Sequence, residues 1–384
     1  MFETFGINHI VTGSILAILL GFVIIGGIKR IAKVTSRLVP IMAFFYFIGA
    51  VAVILYNYEN IIPSIIALIS DVFTGTAAVG GFLGGSVAFA FNRGVNRGLF
   101  SNEAGQGSAP IAHASARAHE PVSEGLVALL EPFIDTIIIC MLTGLVILSS
   151  GVWIEKLPSQ FQEADLIALE GVYHESDPVQ QEQLYHYLSG KNVIPAFSGT
   201  LEVKEGIIQG DITLIHARSV AEDVTIWLNQ QPLNGPITFN SGRLDNRQGL
   251  VLTGNSLLHS APLTTIAFTR SWFGNYGKYI VSIGLLLFAF STAISWSYYG
   301  DRAITYLFGS EKVIYYHVIY VLGFFVASFT DTTIVWTLSG ITIALMTIPN
   351  LIGILSLSKE MKREIKSFWE EYSLRFPDEK LPKD

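Results

Sequence analysis

The sequence is poor in charge and almost free of cysteine. Of its 384 residues, 14% are Asp, Glu, Lys or Arg, against about 25% in an ordinary soluble domain. The single cysteine, Cys140, excludes an intrachain disulfide. The net charge of −7 is not typical of a nucleic-acid binder. The sequence has no HExxH, nucleophile elbow, phosphate-binding GxxxxGK(S/T) or CxxC motif, so we predict neither an enzyme nor a cofactor.

The charges that are present are concentrated in two segments. Residues 155–270 carry 20 of them and residues 359–384 carry 14, which leaves 21 for the other 242 residues. The charge-poor remainder contains apolar stretches of 17 or more residues, long enough to cross a bilayer as helices. They lie at 10–28, 38–56, 133–152, 278–297, 313–329 and 332–357. A seventh crossing, glycine-rich and broken, is expected within 79–116, so the pattern predicts a multi-pass membrane protein.

Basic residues in short loops indicate which side of the membrane each segment occupies. Lys29, Arg30, Lys33 and Arg37 crowd the first loop, which is therefore expected to be cytoplasmic, as is the charged tail 359–384. This assignment places residues 155–270 outside. With seven crossings the N-terminus also lies outside, so we expect an upstream part of the protein with an odd number of crossings, or a separate N-terminal fragment as a partner.

Residues 155–270 have a composition different from the rest. Turn signals such as Asn234-Gly235-Pro236 separate short β-prone stretches. The sequence therefore predicts four parts: membrane helices over 1–154, an extracytoplasmic β-rich insert over 155–270, membrane helices over 271–358, and a cytoplasmic charged tail over 359–384.

The most informative stretch is 97–110, RGLFSNEAGQGSAP. Its glycines and proline predict a helix broken near 98–107. Non-helical backbone at membrane depth is tolerated only where it lines a cavity or is buried in protein, and such breaks hold ligands in secondary transporters. The alternative is a glycine-rich packing helix with a polar loop. Glu103 is either functional or the partner of Arg97 or Arg93, which would brace the break.

Motifs at five places resemble the alanine or glycine:cation symporter family, also called the sodium:alanine symporter family. They are 26–32 (GGIKRIA), 97–114 (RGLFSNEAGQGSAPIAHA), 133–136 (FIDT), 288–300 (FAFSTAISWSYYG) and 348–350 (IPN). The resemblance implies an all-α, LeuT-like inverted-repeat fold, of which core helices four to ten would be present. It also implies that the first three core helices are absent and that the insert is longer than the family's usual outer loop.

The resemblance further implies a set of site residues. Those expected to contact substrate are Phe100, Ser101, Asn102, Gly105, Thr292 and Trp296. Ser291 and Thr292 are expected to bind sodium, because hydroxyl oxygens suit a hard cation. The competing interpretation is that these two hydroxyls bond the carbonyl one turn earlier in their own helix. His113 and His317 are expected to be either histidines with satisfied hydrogen bonds or interfacial histidines.

The function implied is sodium-coupled import of small neutral amino acids, alanine or glycine, by alternating access. The partners are the amino acid, the sodium ion and the lipid bilayer, and the location is a bacterial plasma (inner) membrane. The alternative is a truncated protein that no longer transports and whose outer domain binds or senses a ligand.

Overall fold

The computed structural model describes residues 2–74, 87–101, 103, 105–161, 165–245, 249–330 and 332–377. The chain forms two compact units. The first comprises Met1–Phe47, Val95–Leu142 and Ser282–Asp384, and the second comprises Ile48–Gly94 and Thr143–Val281.

Fourteen α-helices lie within the described ranges. They are α1 Phe2–Phe5, α2 His9–Ile24, α3 Gly27–Tyr56, α4 Ile61–Thr74, α5 Val87–Ser101, α6 Ala109–His113, α7 Pro121–Ala128, α8 Leu130–Pro132, α9 Met141–Ser150, α10 Pro178–Leu188, α11 Ser260–Thr269, α12 Gly277–Phe308, α13 Val313–Ala327 and α14 Thr332–Arg375. A π-helix, Phe133–Cys140, connects α8 to α9.

All strands described in the structure lie between Lys156 and Leu257. They are β1 Lys156–Gln160, β2 Leu166–Glu170, β3 Gly199–Lys204, β4 Ile207–Gln209, β5 Ile212–His216, β6 Ser219–Val220, β7 Glu222–Leu228, β8 Gln231–Pro232, β9 Gly235–Asn240, β10 Arg243–Leu244 and β11 Leu250–Leu257. The sheet orders are β1-β11-β7-β8, β10-β9-β3-β4 and β2-β5-β6, and every pairing between these strands is antiparallel.

The predicted all-α, LeuT-like fold is wrong. Within the described ranges the chain has eleven strands in three antiparallel sheets. Only four helical segments there are long and apolar enough to cross a membrane, where seven were expected. They are Gly27–Tyr56, Pro121–Ser150, Gly274–Phe308 and Leu338–Arg375.

The missing crossings have physical causes. The helix from His9 to Ile24 has 16 residues, which span about 24 Å, short of the roughly 30 Å of hydrocarbon. It ends before Gly27, whose φ of +65° leaves the helical region. The helix from Val313 to Ala327 has 15 residues and is shorter still. Within 79–116 the longest described helix, α5, also has 15 residues, and residues 79–86 lie outside the described ranges.

The first unit packs its helices around a small apolar core. Leu20, Ile24 and Ile31 contact Ile294 and Tyr298 of α12 in one buried cluster. The Arg30 guanidinium donates to the Phe22 carbonyl at 2.7 Å, where a cation near the C-terminus of α2 meets the negative end of the helix dipole. This core fixes the position of α12, which carries several predicted site residues.

The strands of the second unit enclose a core of their own. Leu166, Ile226, Phe239 and Leu252 are among its buried members. The alternation of buried and exposed residues along β9 is what a sheet with one covered face requires. A second cluster, which includes Leu184, packs α10 against β2 and β5. The buried apolar side chains explain why this part of the chain folds as sheets.

A buried histidine lies among these strands. His216 of β5 is 3% exposed, and its ring stacks on Phe161 with the centroids 4.4 Å apart. Its Nδ1 lies 2.8 Å from the Ser256 hydroxyl of β11. Burial, with a smaller contribution from the nearby His259, lowers the pKa of His216 to about 4, because a charged imidazole is costly away from water.

We expect the sheets around His216 to lose stability as the pH falls from 6.5 toward 4. The folded chain binds a proton at His216 less tightly than the unfolded chain does, so protonation favours unfolding. The stabilisation present above pH 6.5 amounts to about 3 kcal/mol and is lost near pH 4. Hydrogen exchange of β5 and β11 in the full-length protein, corrected for the intrinsic pH dependence of exchange, measures it.

His216→Gln should flatten this pH dependence, because a glutamine amide can still bond Ser256 but does not titrate in this range. His174→Gln is the matched control, since His174 is exposed, and it should behave like the wild type. A His216→Gln protein that loses as much stability in acid as the wild type would contradict the assignment.

Candidate functional site

The helix expected to be broken ends at Ser101, and the next helix begins at Ala109. Between them Glu103, Gly105 and Gly107 have φ of +51°, +74° and +87°. Left-handed backbone cannot continue a right-handed helix. Asn102, a predicted substrate contact, lies outside the described residues. The described residues between Ser101 and Ala109 therefore form a non-helical segment.

Side chains of the first unit hold this segment in place. The Gln106 amide donates to the Leu99 carbonyl at 3.0 Å, and the Ser108 hydroxyl donates to the Glu103 carboxylate at 2.6 Å. Gln106 and Ser108 are both buried. From α14 the Asn350 amide donates to the Gly105 carbonyl at 2.9 Å. The segment is thus pinned by specific hydrogen bonds.

The two described residues before the break contact different elements. The Ser101 hydroxyl donates to Asp135 Oδ2 at 2.5 Å, and Asp135 lies in the π-helix, a type of turn that is frequent at functional sites. The Phe100 ring lies 5.7 Å from the Trp336 ring of α14. Phe100 and Ser101 are both exposed, so their side chains are accessible to a ligand.

Glu103 does not pair with Arg97 among the described residues. The Arg97 guanidinium lies 5.0 Å from the centroid of the Trp336 ring. Glu103 instead accepts from Ser108, and its carboxylate lies near Tyr299 of α12. The broken segment therefore approaches α12 at Glu103.

The predicted residues of α12 face in different directions. Ser291 is buried and its hydroxyl donates to the Phe288 carbonyl at 2.9 Å. Thr292 is exposed and Trp296 is partly exposed, and they share a helix face at a spacing of four. The Trp296 ring lies 5.6 Å from the Tyr299 ring. Thr292 and Trp296 therefore lie on the side of α12 that also carries Tyr299, the neighbour of Glu103.

The structure brings some of the predicted residues together and leaves others apart. Phe100 and Ser101 end the helix before the pinned segment, and Gly105 lies within the segment. Trp296 packs against Tyr299, which lies near Glu103. No hydrogen bond or ring contact within the described ranges joins Thr292 or Trp296 to Phe100 or Ser101. Both histidines expected to be satisfied have carboxylate partners: His113 bonds Glu124 at 2.8 Å, and His317 bonds Asp301 at 2.6 Å.

Sequence reasoning missed the contributions of Asn350 and Trp336. The signal for Asn350 is its place after Pro349 inside α14, because a proline frees the carbonyl one turn earlier and a polar amide within an apolar helix needs a partner. Trp336 carries no comparable signal, since aromatic residues are common in any membrane helix.

Comparison with known proteins shows which family the chain belongs to. The model of the sodium:alanine symporter family matches residues 1–173 and 248–379. The chain belongs to the sodium:alanine symporter family. The family consists of membrane transporters that couple amino-acid transport to sodium, and it is not a family of enzymes. The match confirms the resemblance inferred from the motifs. Residues 174–247, which hold most of the strands, lie outside the match.

Individual relatives are similar over nearly the whole chain. An uncharacterized transporter of Haemophilus influenzae is 29% identical, over 99% of this chain and 61% of the relative. The sodium/alanine symporter AgcS of Methanococcus maripaludis is 30% identical, over 96% of this chain and 58% of the relative. The probable sodium/glutamine symporter GlnT of Bacillus subtilis is 28% identical, over 95% and 55%. The chain thus spans about six tenths of the length of these relatives.

Gly107→Ala should distort the pinned segment. A φ of +87° costs an alanine about 1–2 kcal/mol, and its Cβ would come 3.1 Å from Asn350. We expect reduced amino-acid uptake and a lower melting temperature in the full-length protein, measured on the same preparation.

Gly98→Ala is the matched control. Gly98 lies within α5, and an added Cβ there would meet nothing within 4 Å, so alanine should leave uptake unchanged and help the helix slightly. Equal behaviour of the two variants would show that Gly107 has no special conformational role.

Proposed function

We propose that this chain provides the substrate and ion site of a sodium-coupled symporter that imports small neutral amino acids, alanine or glycine. The observation that carries the proposal is the pinned non-helical segment from Ser101 to Ala109, which lies within the part of the chain matched by the family model. In a membrane helix such a segment offers backbone donors and acceptors that a zwitterionic amino acid needs.

The side chains around the segment suit a small substrate. Phe100 and Trp296 are bulky walls that leave room for a short side chain. Ser101 and Asn102 offer a hydroxyl and an amide for the polar ends of the amino acid. Alanine is favoured by the name of one relative, whereas the name of another specifies glutamine.

Sodium is assigned to Ser291 and Thr292 of α12. The Ser291 hydroxyl uses its hydrogen for the Phe288 carbonyl, and its oxygen keeps lone pairs for a cation. Thr292 is exposed and its hydroxyl oxygen is accessible. Hydroxyl oxygens are hard ligands of the kind that alkali and alkaline-earth cations prefer.

Alternating access follows if both ligands are needed to stabilise the closed state. The broken segment and α12 lie close together at Glu103 and Tyr299, so an ion bound to α12 and an amino acid bound at the segment would stabilise the same arrangement. A ligand shifts a conformational equilibrium only by its differential affinity for the two states, and two ligands that favour one state are thereby coupled.

The decisive experiment is uptake of labelled alanine by the full-length protein in proteoliposomes. An inward sodium gradient should drive accumulation, and glycine should compete more strongly than glutamine. If a sodium gradient drives uptake of none of the three amino acids, the proposal is wrong. That result would favour the alternative of a protein that only binds a ligand.

Thr292→Val should weaken the dependence of uptake on sodium. Valine keeps the shape but removes one oxygen ligand, a loss of about 1.5–3 kcal/mol, which corresponds to a sodium half-saturation about 10- to 150-fold higher. Alanine affinity at saturating sodium should change much less. The measurement is initial uptake against sodium concentration in the full-length protein.

Thr305→Val is the matched control on the same helix. Its hydroxyl bonds the Asp301 carbonyl at 2.6 Å within α12, so its loss should leave the sodium half-saturation unchanged. An unchanged half-saturation in Thr292→Val would remove Thr292 from the ion site.

We also propose that the protein lies in a bacterial plasma membrane with the strands of 155–270 outside and the tail 359–384 inside. The support is the cluster of basic residues in the first loop and in the tail. Protease added to intact spheroplasts should cut within 155–270 and spare the tail, as read with antibodies against each segment. Cleavage of the tail instead would reverse the topology.

A further inference from the structure

A carboxylate lies at the middle of one of the candidate membrane spans. Asp135 is the fifteenth residue of the 30-residue helical segment Pro121–Ser150, so it is about 20 Å from either end. An aspartate side chain is too short to bring its charge to the interface, as lysine and arginine do near helix ends. Its neighbours along the chain, among them Phe133, Ile134 and Ile138, are apolar. An ionisable residue at this depth indicates a functional site.

A π-helix positions this carboxylate. Asp135 lies in the π-helix Phe133–Cys140, whose wide turns are frequent at functional sites. The Ser101 hydroxyl, at the end of α5, donates to Asp135 Oδ2 at 2.5 Å. The Thr136 hydroxyl donates to the same oxygen at 3.5 Å. The carboxylate is therefore held where the helix before the pinned segment ends.

The hydrogen-bond partners of Asp135 are neutral. No lysine, arginine or histidine that the structure describes forms an ion pair with it, whereas Glu124 of the same span has His113 Nδ1 at 2.8 Å. The guanidinium of Arg97 lies 5.0 Å from the centroid of the Trp336 ring. A carboxylate removed from water is costly unless its charge is compensated. Two hydroxyls do not compensate a full charge, so the position favours a bound cation.

We propose that Asp135 is a cation-binding residue of the transport site. Its carboxylate, together with the Ser101 hydroxyl oxygen, binds a monovalent cationic centre, which is either a sodium ion or the ammonium group of the amino acid. Carboxylate and hydroxyl oxygens are hard ligands suited to sodium, and they also accept hydrogen bonds from an ammonium group. The inference rests on the proposed function, and it adds a full negative charge to a site otherwise composed of neutral groups.

The charge gives the ligand a reason to stabilise the loaded state. Without a cation the carboxylate raises the free energy of the first unit, and a bound cation removes that cost. Asp135→Asn separates this role from a purely structural one. The asparagine carbonyl oxygen still accepts from the Ser101 hydroxyl, but the side chain has no charge.

Binding of radioactive sodium and of labelled alanine to the purified full-length protein in detergent tests the proposal. If Asp135 binds sodium, Asp135→Asn should weaken sodium binding in the absence of amino acid by about 10- to 150-fold. If Asp135 binds the ammonium group, sodium binding should be unchanged, and alanine affinity at saturating sodium should fall by the same factor. Propionate, which lacks the amino group, should then compete with alanine better in the variant than in the wild type. Unchanged binding of both ligands would overturn the proposal.

Glu131→Gln is the matched control. Glu131 lies one helical turn before Asp135 on the same face, but it is half-exposed and has His113 Nε2 at 3.5 Å. Its neutralisation should leave both affinities unchanged. Equal losses in the two variants would show a general effect of removing negative charge from this span, and the assignment to Asp135 would be wrong.

The melting temperature of the same preparations separates binding from a structural role. The bound ligand should raise the melting temperature of the wild type, and by less in Asp135→Asn, because stabilisation by a ligand follows its affinity. Without ligand, Asp135→Asn should melt no lower than the wild type, since it keeps the hydrogen bond and loses the uncompensated charge. A lower melting temperature together with undiminished stabilisation by ligand would identify a structural hydrogen bond only.

The outcomes distinguish a failure of this inference from a failure of the proposed function. If the wild type binds neither sodium nor alanine, both are wrong. If the wild type binds them and Asp135→Asn binds them equally well, only the role of Asp135 is wrong. Should Asp135→Asn not fold, Asp135→Glu keeps the charge but moves it by one methylene, so it should bind the same ligand more weakly. Unchanged affinities for both ligands in Asp135→Glu would contradict the proposal.

Discussion

Backbone polar groups that water cannot reach need partners within the protein, and the structure of the first unit depends on this constraint. A helix satisfies the constraint by itself, but the segment from Ser101 to Ala109 does not, because three of its residues have left-handed backbone. The protein meets the requirement with amide groups from outside the helix ladder. The Gln106 and Asn350 side chains donate to the Leu99 and Gly105 carbonyls. Each unmet buried group would cost about 1–3 kcal/mol, so these side chains contribute to the stability of the broken helix.

The family and the membrane location could be predicted because both depend on local sequence. Low charge and long apolar stretches are properties of composition, and the motif at 97–110 combines glycines with polar residues in a way that few folds tolerate. The partners of the segment could not be predicted. Asn350 lies 245 positions from Gly105, and nothing in the periodicity of α14 indicates which carbonyl its amide would reach. Long-range pairing of this kind is fixed by tertiary packing and not by sequence spacing.

The predicted fold was wrong for two different reasons. Membrane crossings were counted from the apolar composition alone. The helix from His9 to Ile24 nevertheless ends before Gly27, whose positive φ leaves the helical region. The all-α class was also inferred from a resemblance that does not cover most of the strands, since residues 174–247 lie outside the family match. Those strands enclose the buried core that contains Ile226 and Phe239.

The helix α12 shows how one element can serve two purposes. Its buried face carries Ser291, Ile294, Ser297 and Asp301 at helical spacing, and this face makes the contacts that hold the helix in place. Its more exposed face carries Thr292 and Trp296, which we proposed as ligand-binding residues. Packing fixes the first face against α13 through Asp301 and His317, so the position of the second face is set by interactions on the opposite side of the helix.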